Sequence, residues 1–263
     1  MKILLSNNDL NEALYDVSNL GFVPTMGGLH KGHISLIKKS LKECKKTIVS
    51  IFINPTQFNN KKDFKSYPRN NKRDLSILKK LKIDFLYIPK EKDVYNFKRK
   101  SSINLNKKDK ILCAKFRKGH FEGVIDVMDR LTKIIKPQKI YMGEKDFQQL
   151  YLVKKHITKK YNVKIIQCKT IRDSNKLAFS SRNILLTKDQ LILAGKISKE
   201  FFLLKKKLSK SRDFKKLISK KKEELINSFN IQFDYLELRN KFSFKASNKV
   251  KNSKLFIAYH INK

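Results

Sequence analysis

His30 and His33 stand three residues apart in the run PTMGGLHKGH, Pro24 to His33, and two imidazoles at that spacing suit the handling of phosphate. Each can donate a hydrogen bond to a phosphate oxygen as charge builds there during group transfer. Gly27 and Gly28 let the backbone approach a phosphate closely, and Gly32 leaves room between the two rings. Either histidine alone reads as an ordinary surface residue; the pair on a glycine-rich turn reads as a site. Other suitable groups follow. Gly143, Glu144, Lys145 and Asp146 suit a nucleotide and its metal, although charged loops of this kind are common. Ser180, Ser181 and Arg182 offer two hydroxyls and a planar guanidinium, the parts of a phosphate clamp. Gln57 and Gln149 carry amides that both donate and accept, but exposed glutamines are common and either alone is equally a surface residue. His156 and His260 fall in ordinary helix and strand patterns.

These groups need elements to hold them. Leu20-Gly21-Phe22-Val23 reads as a short buried strand ended by Pro24, and Ile34, Ile37, Leu41 and Cys44 then recur at helical spacing. The glycine turn therefore joins a strand to a helix. In open α/β sheets the carboxyl ends of strands bind ligands, and a helix N-terminus supplies free N–H donors and a favourable dipole. TIVSIFIN, Thr47 to Asn54, is apolar and β-branched throughout, as a central parallel strand covered on both faces must be, and Gln57 lies just past it. Further strands are expected at DFLYIP, KIYM and VKIIQC, with helices over Asp74 to Leu81, along Val124 to Ile135 and from about Asp146. Asn7 or Asn8 caps a short first helix bearing Leu10, Leu14 and Val17. Repeated strand–helix–strand units predict an α/β fold with an open parallel sheet. After about Arg172 two lysine-rich helices, roughly 187–208 and 211–229, precede the strands FDYLELR and KLFIAYHI, predicting a small α+β domain. The expected domains are 1–172 and 173–263.

The chain has 263 residues, 40% of them hydrophobic, enough for a sizeable core and against disorder. Its net charge of +38 invites a nucleic-acid reading. Only nine of the 61 basic residues are arginine, however, and the lysines are spread through nearly every segment rather than clustered with stacking aromatics. Lys205-Lys206-Lys207 and Lys220-Lys221-Lys222 sit in helix-like patterns and read as solvated faces. We therefore expect no specific nucleic-acid partner. Cys44, Cys113 and Cys168 are odd in number and form no CxxC pair, so a disulfide framework or cysteine zinc site is not expected. No signal-peptide pattern and no apolar run of membrane-spanning length is present, which predicts a cytoplasmic protein without a membrane partner.

The HxGH string resembles the adenylyl-transferring superfamily of nucleotidylyltransferases and class I aminoacyl-tRNA synthetases. With the blocks SIFINPTQFN, YPR at Tyr67 to Arg69, GHFEGV at Gly119 to Val124, GEKDFQQL at Gly143 to Leu150 and LAFSSRN at Leu177 to Asn183, it resembles the pantothenate synthetase (pantoate–β-alanine ligase) family. The blocks keep the family's order and span about two-thirds of the chain. The resemblance implies a Rossmann-like sheet of the HxGH nucleotidylyltransferase type and an enzyme, with the small C-terminal domain as a lid. The reaction implied is ATP-dependent joining of pantoate to β-alanine through pantoyl adenylate, with Mg2+ accompanying ATP and the chain a homodimer.

It also implies residue roles. Met26, Gly27, Gly28, Leu29, His30, Lys31, Gly32 and His33 would line the ATP site, with His33 and His30 catalytic. Gly143, Glu144, Lys145, Asp146, Ile171, Phe179, Ser180, Ser181 and Arg182 would complete that site, Ile171 through its backbone. Gln57 and Gln149 would contact pantoate and then β-alanine, Asp74 would face the metal, and Arg117 and His120 would lie near the phosphates. Three departures stand out. Asn175-Lys176 replaces the family's Asp-Gly, NNKR precedes Asp74 where the family is acidic, and the sequence ends at Lys263 before the family's arginine- and aspartate-containing tail. Two rivals remain open: a nucleotidylyltransferase with another acceptor, and a basic nucleic-acid-binding protein.

Overall fold

The structure, a computed structural model, describes residues 1–95, 103–211 and 213–261. They fall into two compact units. The first comprises Met1–Lys110, Arg117–Ile171 and Ala178–Ile184, and the second Ile111–Phe116, Arg172–Leu177 and Leu185–Lys263.

In the first unit the order is β1 (Lys2–Leu4), α1 (Asn7–Leu14), β2 (Leu20–Thr25), α2 (Lys31–Glu43), β3 (Lys46–Ile51), α3 (Lys61–Ser66), α4 (Asn71–Lys80), β4 (Phe85–Tyr87) and α5 (Glu91–Tyr95). After α6 (Cys113–Phe116), which belongs to the second unit, come α7 (His120–Ile135), β5 (Lys139–Gly143), α8 (Phe147–Lys160) and β6 (Lys164–Cys168). The six strands form one sheet in the order β1-β4-β3-β2-β5-β6, parallel at every pairing. Alternate residues of the central strands enter opposite cores. Phe22, Ile48 and Ile140 pack with Val124, Met128 and Leu131 of α7 and Val153 and Ile157 of α8. Val23, Val49 and Tyr141 pack with Ile37 of α2 and Leu78 of α4. Both faces are covered, and this accounts for the unbroken apolar runs. The chain steps from β2 to β3 on one side and later returns to place β5 on the other. Strand order thus reverses at β2/β5, and it is beyond the carboxyl ends of the strands at such a reversal that open α/β sheets bind ligands.

Local boundaries differ from expectation where side chains compete. Ser6, not Asn7 or Asn8, caps α1, because its hydroxyl and Asp9 form a reciprocal capping box. Pro24 does not end β2. The strand continues to Thr25, whose hydroxyl donates to the Ser50 carbonyl of β3 at 2.7 Å.

The second unit adds α9 (Lys188–Leu208), α10 (Phe214–Phe229), β7 (Ile231–Asn240) and β8 (Ser253–Ile261), the two strands antiparallel. Ile197 and Leu204 of α9 and Leu225 of α10 pack on Ile231 and Leu236 of β7. Lys221 is largely buried and is neutralised by Glu200 at 3.0 Å and Glu224 at 2.5 Å. No helix among the described residues is long and apolar enough to cross a membrane.

Candidate functional site

The glycine turn leaves β2 at the switch point. The Thr25 hydroxyl accepts the Gly27 N–H at 3.2 Å, and Gly27 and Gly28 turn the chain with φ of +78 and +61, values that side chains resist. Asp74 of α4 fixes the turn from below. One carboxylate oxygen accepts the Gly28 N–H and the other the Leu29 N–H, both at 2.8 Å. Asp74 is 0% exposed, so it organises the turn and does not face a metal as expected from its position after YPR. Among the described residues no group of three or more histidines, cysteines or carboxylates is arranged to hold a metal ion.

His30 is the N-cap of α2. Its Nδ1 accepts the Gly32 N–H at 3.1 Å, which places the ring proton on Nε2. A side chain at 32 would sit 2.8–2.9 Å from that ring, so the glycine inside HxGH is what lets the ring fold back. The His33 ring stacks on His30 with centroids 4.0 Å apart, and Phe179 follows at 6.4 Å on His30. His33 Nδ1 is buried without a hydrogen-bond partner among the described residues. Burial, then the nearby Lys145 charge, pushes His30 down to about 4. Burial, then His30 and Lys145, pushes His33 down to about 3. Both rings are neutral at pH 7, so each carries one N–H and no positive charge.

Residues 144–146 and 179–182, both within the first unit, come to this turn. Gly143 ends β5, and Glu144–Asp146 form a 3-10 turn in which Lys145 pairs with Asp146 at 3.4 Å. Glu144 accepts from Gln167 at 2.5 Å. Lys145 and Asp146 act electrostatically on both histidines, so this turn lies close to the pair. The Ser181 hydroxyl donates to the Gly28 carbonyl at 2.9 Å, and Ser180 Oγ accepts the Arg182 N–H at 3.3 Å. Arg182 lies over the Tyr67 ring and donates to Asp63 three times, at 3.0–3.3 Å. The Ile171 carbonyl accepts the Phe179 N–H at 3.1 Å. In the hairpin Arg172–Leu177, Lys176 takes the left-handed conformation at φ +68. A lysine thus stands here in a backbone conformation that side chains resist.

Gln57 closes a 3-10 turn, Pro55–Gln57, after β3 and is 8% exposed. Its Nε2 donates to the Met26 sulfur at 2.8 Å, and its Oε1 accepts from buried Asn54 at 3.2 Å. Gln149 is half-buried in the first turn of α8, and no hydrogen bond joins it to Gln57 among the described residues. Its neighbour Gln148 is the buried one, donating to the Asp109 carbonyl at 3.3 Å. His120 is buried, and the charges of Arg117, Asp146 and Arg182 all act on it. His156 and His260 pair with Asp129 and Asp234. Sequence reasoning misses Asn54 and Asp63. NPT, an asparagine before a proline turn, is the available signal for the first; nothing local marks the second.

Comparison with known proteins agrees with this geometry. The family model for Pantoate-beta-alanine ligase matches residues 2–263. The pantothenate synthetase of Flavobacterium psychrophilum is 40% identical over 261 residues, covering 96% of this chain and 92% of the relative. That of Francisella tularensis subsp. novicida is 39% identical over 258 residues, covering 97% and 90%. Among solved structures, the pantothenate synthetase of Thermus thermophilus superposes with a TM-score of 0.89 at 26% identity, covering 99% of both chains. The pantoate–β-alanine ligase of Francisella tularensis, solved with beta-gamma ATP and beta-alanine, superposes with a TM-score of 0.82 at 37% identity, covering 99% of this chain and 94% of that one. A glycine turn leading into a histidine-capped helix, at the switch point of a six-stranded parallel sheet, and a family match from residue 2 to residue 263 agree: this chain belongs to the pantoate–β-alanine ligase family.

Proposed function

We propose that the chain joins pantoate to β-alanine in two steps at one site, an adenylation followed by an aminolysis. In the first, a pantoate carboxylate oxygen attacks the α-phosphorus of Mg–ATP in line, and the bond to the pyrophosphate oxygen breaks as the new one forms. In the second, the neutral β-alanine amine attacks the acyl carbon, loses a proton and displaces AMP. The observation that carries this reading is the pair of neutral imidazoles stacked at the start of α2, at the switch point of the sheet.

The first step brings two anions together, so donors set in place beforehand lower its barrier. The His30 Nε2–H and the His33 ring serve as those donors, and Met26 to Gly32 line the nucleotide. Gly143 to Asp146, Ile171, Phe179, Ser180, Ser181 and Arg182 form the rest of the ATP site, with Lys145 supplying positive charge. Gln57 and Gln149 hold pantoate and then β-alanine. Magnesium arrives with ATP as part of the substrate, and Asp74 is committed to the turn. On this reading the protein is a cytoplasmic homodimer, and its lysines bind nucleic acid only weakly and without sequence preference.

Labelled pyrophosphate should exchange into ATP with pantoate alone, and AMP should accumulate only once β-alanine is added. Exchange that waits for β-alanine, or that ignores pantoate, refutes the two-step assignment. Tight binding of one DNA sequence at physiological salt, measured beside it, would favour the nucleic-acid reading.

A further inference from the structure

The first turn of α7 is built onto the turn that carries Gln57. His120 Nδ1 lies 2.7 Å from the Gln57 carbonyl oxygen, which can only accept, so Nδ1 carries the proton and Nε2 is left with a lone pair. Three residues on, a side chain at Gly123 would sit 2.5 Å from the Thr56 carbonyl oxygen and 2.9 Å from the Gln57 nitrogen. Those are backbone atoms of a closed turn and cannot swing away. The Gly123 carbonyl in turn accepts from Asn54 at 3.1 Å, and the same Asn54 amide donates to Gln57 Oε1 at 3.2 Å. The Gln57 amide ends on Met26 of the glycine turn. Three separate stretches of sequence are thus tied together through one glutamine.

We infer that His120 is a positioning residue of the acceptor side: through Nδ1–H it holds the Gln57 backbone, and so sets where the Gln57 amide meets pantoate. It sits 6% exposed, and burial, with Arg117 next, pushes its pKa down to about 4, so the ring stays neutral and keeps its single donor at Nδ1. Without that donor the carbonyl is left buried and unbonded, and the turn relaxes to recover a partner. The inference rests on Gln57 being a pantoate-side residue.

The test is a set of variants assayed for pantothenate formation, with folding checked by thermal melting. His120→Ala should raise the KM for pantoate about tenfold or more, the equivalent of one lost buried hydrogen bond, and leave the KM for ATP within about twofold. His120→Asn places an amide N–H near the former Nδ1 and should restore the pantoate KM; His120→Gln places it near Nε2 and should not. Gly123→Ala should reproduce the pantoate-selective defect by pushing on the same turn. Rescue by glutamine but not asparagine would show that His120 works through Nε2 on the substrates, and would overturn the inference, as would an asparagine variant no better than alanine. Gln57→Ala separates the two layers. If it leaves the pantoate KM unchanged, the assignment of Gln57 fails whatever His120 does. If it raises that KM and His120→Ala adds a further full defect on top, Gln57 stands and the link through His120 is refuted.

Discussion

Replacing Asp74 by asparagine separates a metal ligand from an organiser of the glycine turn. The structure gives each carboxylate oxygen one backbone N–H, from Gly28 and Leu29, at 2.8 Å and away from solvent. Asparagine keeps one acceptor and points an NH2 at the other donor. One charge-assisted hydrogen bond, worth about 1.5–3 kcal/mol, is lost, and the surviving one falls to the roughly 1 kcal/mol of a neutral pair. The expected destabilisation is about 3 kcal/mol, read from urea unfolding near neutral pH with an unchanged slope. The turn that presents His30 and His33 loosens with it, so pyrophosphate exchange should fall about a hundredfold at every magnesium concentration. Stability within about 0.5 kcal/mol of the parent, with exchange restored by excess magnesium, would show that the carboxylate serves the metal after all.

Two further outcomes follow from the geometry. Lys176→Gly should stabilise the protein by about 1 kcal/mol, because glycine adopts φ +68 without the strain lysine bears there; a melting temperature that stays the same or falls contradicts this. His30, His33 and His120 fold with depressed pKa values, about 4, 3 and 4, so the unfolded chain binds more protons below about 6.5. Stability should be full above that value and decline as pH falls toward 4, by about 1.4 kcal/mol at pH 5.5 for each of His33 and His120, and by less for His30, which solvent partly screens. Urea midpoints that do not differ between about pH 7.5 and pH 5.5 would rule this out.

The sheet was legible because burial on both faces leaves its mark in single strands. Phe22 and Val23, or Ile48 and Val49, face opposite cores, so neither position can be polar. Pro24 misled because a proline usually breaks a ladder, whereas here the next residue's hydroxyl bonds across to β3 and the strand runs on. The segments around the glycine turn were readable as types of chemistry at strand ends. What they bond to was not, since those partners lie far off in the chain. Asp74 reaches back 45 and 46 residues to the turn, Arg182 reaches Asp63 across 119, and His120 reaches Gln57 across 63. A carboxylate on the helix after YPR looks the same in sequence whether it faces a metal or a backbone amide. Only its burial distinguishes them.

One side chain at the start of α2 performs two jobs of different kinds. As an acceptor at Nδ1, His30 begins a helix, a service worth about 1 kcal/mol that serine or asparagine performs equally well. As a donor at Nε2 it offers something neither of those can place at the same distance. The two jobs are therefore detachable, and on the proposed function a serine at position 30 would keep the scaffold while removing one donor from the reaction. Such a protein is a slowed clock, by about a hundredfold or more, since the His33 ring remains. It offers crystallographers a longer interval in which to load the reactants and look at them.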